Sequence, residues 1–168
     1  RFLEEARKGL QINTADDLNQ APWMQAMLDI LHKKAAAAGQ LANRCLAICE
    51  EPDGPEQYRE QIKSDMEKLQ AIGQADSYAT MKQAIDSKWA TLSRKKFTGD
   101  KELQEACKTL RKEYKDEFDS KKLDSFKQSE TQILEDMQLL KTYLLPLLSL
   151  TEEFMTRFME EKQKRKML

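Results

Sequence analysis

At 168 residues the chain is long enough for one well-packed core and short for two, so a single helical domain spanning 1–168 is expected. Charged residues make up 34% and hydrophobic residues 40%, with five glycines and four prolines, a profile of long amphipathic helices rather than tightly turned sheets. The formal net charge is −1, with 10 basic and 13 acidic residues in the first 84 positions and 18 and 16 in the last 84, which excludes a nucleic-acid binder recognisable by overall basicity.

The predicted elements follow in chain order. A short helix runs from about Phe2 to Leu10, and Asn13 to Asp17 reads as a polar linker leading to a helix start near Pro22. From Trp23, Met24, Met27, Leu28 and Leu31 through Ala35, Ala38, Leu41, Ala42, Cys45, Leu46 and Cys49, apolar residues recur at steps of three and four, which predicts one long helix with a single apolar stripe. Glu51-Pro52-Asp53-Gly54-Pro55 ends it: Pro52 disfavours helix at Glu51, Gly54 allows positive φ, and Pro55 suits a new helix start.

Two further helices are predicted, one through Tyr58, Ile62, Met66, Leu69 and Ile72 and one through Tyr78, Met81, Ile85, Trp89 and Leu92. A basic loop, Lys95 to Gly99, precedes a helix from about Asp100 to Lys122. Ser129 to Leu168 is helical by pattern, with a kink or break expected at Pro146, whose ring crowds the Thr142 carbonyl. The fold class is therefore all-α, an irregular multi-helix bundle with long helices. The apolar run Leu144 to Leu150 is far short of the roughly 20 residues that cross a bilayer. Three cysteines without a secretory signal point to a reduced, cytoplasmic setting.

Chemistry is sparse. The five glycines lie at least 15 residues apart, so no loop can cradle a phosphate on converging backbone amides. Cys45 and Cys49 share a helix face, but with one histidine in the chain, His32, a zinc site lacks its usual complement, and these thiols and Cys107 read as small core hydrophobes. His32 reads as a helix flank. Carboxylate pairs such as Asp16-Asp17, Glu50-Glu51, Glu152-Glu153 and Glu160-Glu161 read as solvated faces. No catalytic residue, metal site or cofactor site is expected, and no buried polar cluster is foreseen.

The one constellation with a functional reading is basic. Positions 88 to 122 hold 11 cations, Lys88, Arg94, Lys95, Lys96, Lys101, Lys108, Arg111, Lys112, Lys115, Lys121 and Lys122, against seven acids. Arg94-Lys95-Lys96 is the densest part, suited to contacting DNA phosphates without reading sequence. A plain solvated loop is the alternative.

The stretch Ala47 to Pro55, followed by Tyr58, Ile62, Asp65 and Leu69, resembles the Glu-Pro-Gly-Gly-Pro-x-x-Tyr region of AddA, also called RexA, with Asp53 in place of the first glycine. Trp89-Ala90-Thr91-Leu92-Ser93-Arg94-Lys95-Lys96 resembles that family's stretch ending in a basic loop, and Leu103 to Lys115 its helix of Leu-Arg-x-x-x-Lys type. Phe154 to Leu168 is similar to the helix that in AddA runs into an Asp-Phe motif of the helicase core, and the chain, opening on Arg1, reads as an excised piece. The resemblance covers positions 40 to 168 well and the first 40 poorly.

It implies the helical 1B insertion of a superfamily 1 helicase, from a parent that is an ATP-dependent 3′–5′ DNA helicase and exonuclease of double-strand break repair and recombination. ATP and Mg2+ would belong to that parent, and an AddB (RexB) subunit would be its partner. Within this segment, the resemblance implies a place beside duplex DNA for the Arg94-Lys95-Lys96 loop, contacting its backbone non-specifically. The alternative is a structural or protein-docking module with no DNA contact.

Overall fold

The computed structural model describes residues 2–119 and 123–165; the predicted helix end at Lys122, with Lys121, and the final Lys166 to Leu168 lie outside the described residues. Among the described residues the regular elements are all helical, as expected: α1 Phe2–Gly9, α2 Ala15–Gln20, α3 Pro22–Glu50, α4 Arg59–Gln74, α5 Tyr78–Asp86, α6 Lys101–Glu117 and α7 Glu130–Lys164. Single 3-10 turns, Glu56–Tyr58 and Asp124–Phe126, precede α4 and α7. The chain divides into two compact units, one of residues 1–21 with 129–168 and one of Pro22–Gln128.

In the second unit α3 is the central element, packing against both α4 and α6. Its buried residues, Met24, Leu28, Leu31, Ala35, Ala38, Ala42, Cys45 and Cys49, alternate steps of four and three. That spacing keeps one narrow seam facing its neighbours, and the small Ala35, Ala38 and Ala42 let their backbones approach closely. Ile62, Leu69 and Ile72 of α4 and Cys107 and Tyr114 of α6 are buried as well.

Gly54 closes the α3–α4 hairpin for a steric reason rather than through positive φ. A Cβ there would lie 2.0 Å from the Ile48 carbonyl oxygen, so only glycine lets the turn fold back. The Gly54 amide donates to the Glu51 carbonyl at 2.9 Å, and Pro55 leads into the turn before α4.

Three sequence expectations are corrected. Part of the Asn13–Asp17 linker is helix: Thr14 caps α2 in a capping box with Asp17, whose carboxyl is held below the usual range by the Asn13 and Thr14 amides. Trp89 and Leu92 lie outside the helix drawn through them, because α5 ends at Asp86. Of the kink or break expected at Pro146 the break is absent, since α7 is continuous from Glu130 to Lys164. The carbonyl that proline leaves without its helical donor belongs to Thr142, an exposed residue that water can reach.

In the first unit α1 and α2 lie along α7. Arg7 reaches Glu152 at 2.5 Å and the Ser149 hydroxyl at 3.1 Å, and Lys141 donates to the Ile12 carbonyl at 2.8 Å. Ser129 starts α7 with a capping box shared with Gln132.

Candidate nucleic-acid interface

The segment between α5 and α6 runs without regular structure, and its first half is held by side chains from α4 and α6. Lys68 of α4, only 7% exposed, donates to the Ile85 carbonyl at 2.7 Å and to the Ser87 carbonyl, placing a cation on the open end of α5. The Ser87 hydroxyl turns back onto the Ala84 carbonyl at 2.7 Å. These bonds replace those a longer helix would have made, which is why α5 stops three residues short of Trp89.

Ala90 is then clasped on both sides of its backbone. Its amide donates to Asp65 Oδ1 at 3.3 Å and its carbonyl accepts from Arg111 Nη2 at 2.5 Å. Asp65 and Arg111 are 1% and 6% exposed and form a two-point pair, Nε to Oδ2 at 2.6 Å and Nη2 to Oδ1 at 3.1 Å. The Tyr114 hydroxyl completes the set with a bond to Asp65 Oδ2 at 2.8 Å. Burial works against the Arg111 charge, but Asp65 more than offsets it, so the guanidinium is held above its usual value. Burial and then the Asp65 charge push the Tyr114 phenol up.

Here the structure departs from the expectation that no polar cluster is buried. The three side chains are almost wholly buried and bond to one another and to the Ala90 backbone, so the cluster serves to fix that backbone. A signal for it was present: Asp65 stands between Ile62 and Leu69, and Arg111 between Cys107 and Tyr114, on stripes that are otherwise core.

Two cations lie over the Trp89 ring. Lys68 lies 4.6 Å and Lys115 5.7 Å from its ring centroid, and Tyr114 meets it at a tilt of 49° with 5.8 Å between centroids. Burial pushes Lys68 down to about 8, and burial followed by the Arg111 charge lowers Lys115.

The far end of the segment is pinned to the hairpin turn. The Asp100 amide donates to the Asp53 carbonyl at 2.9 Å, and a Cβ on Gly99 would meet that same oxygen at 2.5 Å. Asp100 then caps α6 by accepting from the Glu102 amide at 2.7 Å. Between these two fixed points Arg94, Lys95 and Lys96 are consecutive and exposed, and they make no ion pair among the described residues.

Of the other predicted cations, three are less available and three are exposed. Arg111 is buried in its pair, Lys115 is half-buried against Trp89, and Lys108 is bound to Glu105 at 2.7 Å; Lys88, Lys101 and Lys112 are exposed. His32 Nε2 meets the Ala75 carbonyl at 2.7 Å, at the end of α4, as suits a helix flank. Cys45, Cys49 and Cys107 are buried free thiols, with the Cys49 and Cys107 sulfurs 3.8 Å apart. Hydrogen bonding to Cys107 and burial push the Cys45 and Cys49 thiols up. Among the described residues no group of three or more His, Cys, Asp or Glu is arranged to hold a metal ion.

No family model matches the chain. Curated relatives do. The AddA subunit of the ATP-dependent helicase/nuclease of Lachnoclostridium phytofermentans is 31% identical over 169 aligned positions, covering 96% of this chain and 12% of that protein. The chain is related to a segment of AddA. The corresponding helicase/nuclease subunits of Oceanobacillus iheyensis and Desulforamulus reducens are 26% and 24% identical, over 87% and 97% of this chain. The chain spans 12 to 13% of the length of these three relatives.

The stretches that carried the resemblance to AddA now have physical roles. The Glu51–Pro55 turn supplies the Asp53 carbonyl, Asp65 and Arg111 hold Ala90, and Trp89 is covered by Lys68 and Lys115. They converge on the support of the basic loop, although they lie far apart in sequence. Among the described residues no helix is long and apolar enough to cross a membrane.

Proposed function

We propose that this chain is an accessory helical subdomain, the 1B insertion, of an ATP-dependent DNA helicase/nuclease acting in the cytoplasm on double-strand breaks, and that Arg94, Lys95 and Lys96 contact the duplex backbone. The observation that supports the DNA contact is a run of three exposed cations on a segment tied down at Ala90 and Asp100. Pinned ends lower the entropy lost when the loop meets phosphates, and contacts of this kind are indifferent to sequence.

ATP and Mg2+ would act elsewhere in the parent polypeptide. The residues of this chain do not fit either, since its glycines are scattered and no acidic metal cluster exists among the described residues. Pairing with an AddB-type subunit belongs to the parent in the same way.

Replacing Arg94, Lys95 and Lys96 together by alanine, in the assembled two-subunit enzyme, tests the contact. Duplex affinity should fall by a similar factor for any sequence, and the slope of log affinity against log salt should shrink by about 2.7, at about 0.9 per lost phosphate contact. Unchanged affinity and slope would overturn it. A second reading, a docking module without DNA contact, is favoured by one feature, the large apolar side chains that α7 leaves exposed.

A further inference from the structure

The feature least explained by a loop-mediated DNA contact is α7. Its 35 residues extend roughly 50 Å at 1.5 Å per residue, and none of its described residues is buried. Leu139, Leu140, Tyr143, Leu147, Leu150, Phe154, Met155, Phe158 and Met159 are each between 45% and 68% exposed. At helical spacing these residues fall on one broad side, and Phe154 and Phe158 stack there with centroids 6.0 Å apart. Taking about 200 Å² for a fully exposed large apolar residue, the nine present on the order of 1,000 Å². A standard protein interface uses about 800 Å² per partner.

We infer that this face of α7 is covered by another part of an AddA polypeptide, as an intramolecular docking surface. The inference rests on the reading of the chain as a segment of such a polypeptide. Charge narrows the occupant. From Glu130 to Lys164 the helix carries seven carboxylates and four cations, a net −3. That balance opposes duplex DNA and an anionic lipid surface, and a second copy would bring another acidic helix alongside. Length points the same way. The matched segment is 12% of the L. phytofermentans relative, so in a protein of that size most of the polypeptide lies outside this segment.

The test is cysteine labelling. Leu147→Cys and Phe154→Cys on the apolar side, with Glu160→Cys on the polar side as control, are each introduced into this chain alone and into the full-length AddA polypeptide that carries it. The native thiols, all buried, should react slowly and so serve as internal reference. Maleimide should modify all three positions quickly in the chain alone. In the full-length polypeptide positions 147 and 154 should react at least tenfold more slowly, with position 160 unchanged.

Equal rates at 147 and 154 in both proteins overturn the proposal, as does protection of all three positions together. Protection of 147 and 154 in the chain alone, rising with its concentration, assigns the face to a second copy and also overturns it. ATP-driven duplex unwinding by the full-length protein with AddB is measured in parallel. Unwinding with unprotected cysteines marks failure of the docking alone, whereas absent unwinding marks failure of the reading beneath it.

Discussion

Replacing Asp65 by alanine removes the acceptor of four hydrogen bonds, from Arg111 Nε and Nη2, the Tyr114 hydroxyl and the Ala90 amide, and leaves the Arg111 guanidinium buried beside an apolar methyl. Breaking a buried ion pair by removing one partner costs about 3–5 kcal/mol, because the remaining charge is left uncompensated. In a chain of this length that corresponds to a fall in Tm of roughly 6–20 °C. The assay is urea unfolding followed by tryptophan fluorescence in a Trp23→Phe background, so that Trp89, against Tyr114 and Lys68, is the only reporter.

Removing both charges, Asp65→Leu with Arg111→Met, should be less destabilising than Asp65→Ala, since no buried charge is then left alone. A loss below about 1 kcal/mol for Asp65→Ala, or a larger loss for the double variant, would refute the view that this pair is what holds the segment. Limited proteolysis offers a second readout: in Asp65→Ala, cleavage between Ala90 and Gly99 should precede global unfolding.

Two glycine substitutions should have opposite signs. Gly54→Ala forces a Cβ against the Ile48 carbonyl and should destabilise by more than about 1 kcal/mol, whereas Gly39→Ala, inside α3 with nothing within 4 Å, should stabilise by about 0.4–1 kcal/mol, both read from urea midpoints. Lys68 makes stability depend on pH. Its folded pKa, about 8, lies below the unfolded value of about 10.4, so the unfolded chain holds more protons between them and the Lys68 contribution to stability should rise with pH from about 8 toward 10. Cys45, Cys49 and Tyr114, all raised in the fold, oppose that contribution as their unfolded counterparts ionise first, so Lys68→Met should make stability fall more steeply with pH over this range. Finally, an aromatic-disulfide thiol reagent should titrate almost no cysteine in the native chain and all three in urea; fast native reaction at Cys49 or Cys107 would contradict their burial.

The long helices were legible because an apolar residue every three or four positions has one physical solution, and α3 shows that stripe over 29 residues. The end of α5 was not, because Tyr78, Met81 and Ile85 continue to Trp89 in a helical pattern. What ends the helix is Lys68, ten residues before it begins, together with Asp65 on the same α4 and Arg111 on α6. Contacts of that kind leave no local trace. Arg111 counted as one more cation in a basic stretch, although its neighbours Cys107 and Tyr114 marked its position as interior. The exposed placement of Arg94, Lys95 and Lys96 was readable from their own chemistry. The support beneath them was visible only in weak similarities scattered over sixty residues.

The bond from the Asp100 amide to the Asp53 carbonyl has an evolutionary side. Together with the hold on Ala90 it makes the intervening stretch a cassette, bounded by contacts to backbone that depend, within it, on Gly99 having no side chain. A loop of another length or charge could be exchanged there without disturbing α4 or α6. A protein with this scaffold and another loop there would meet a different surface through the same frame.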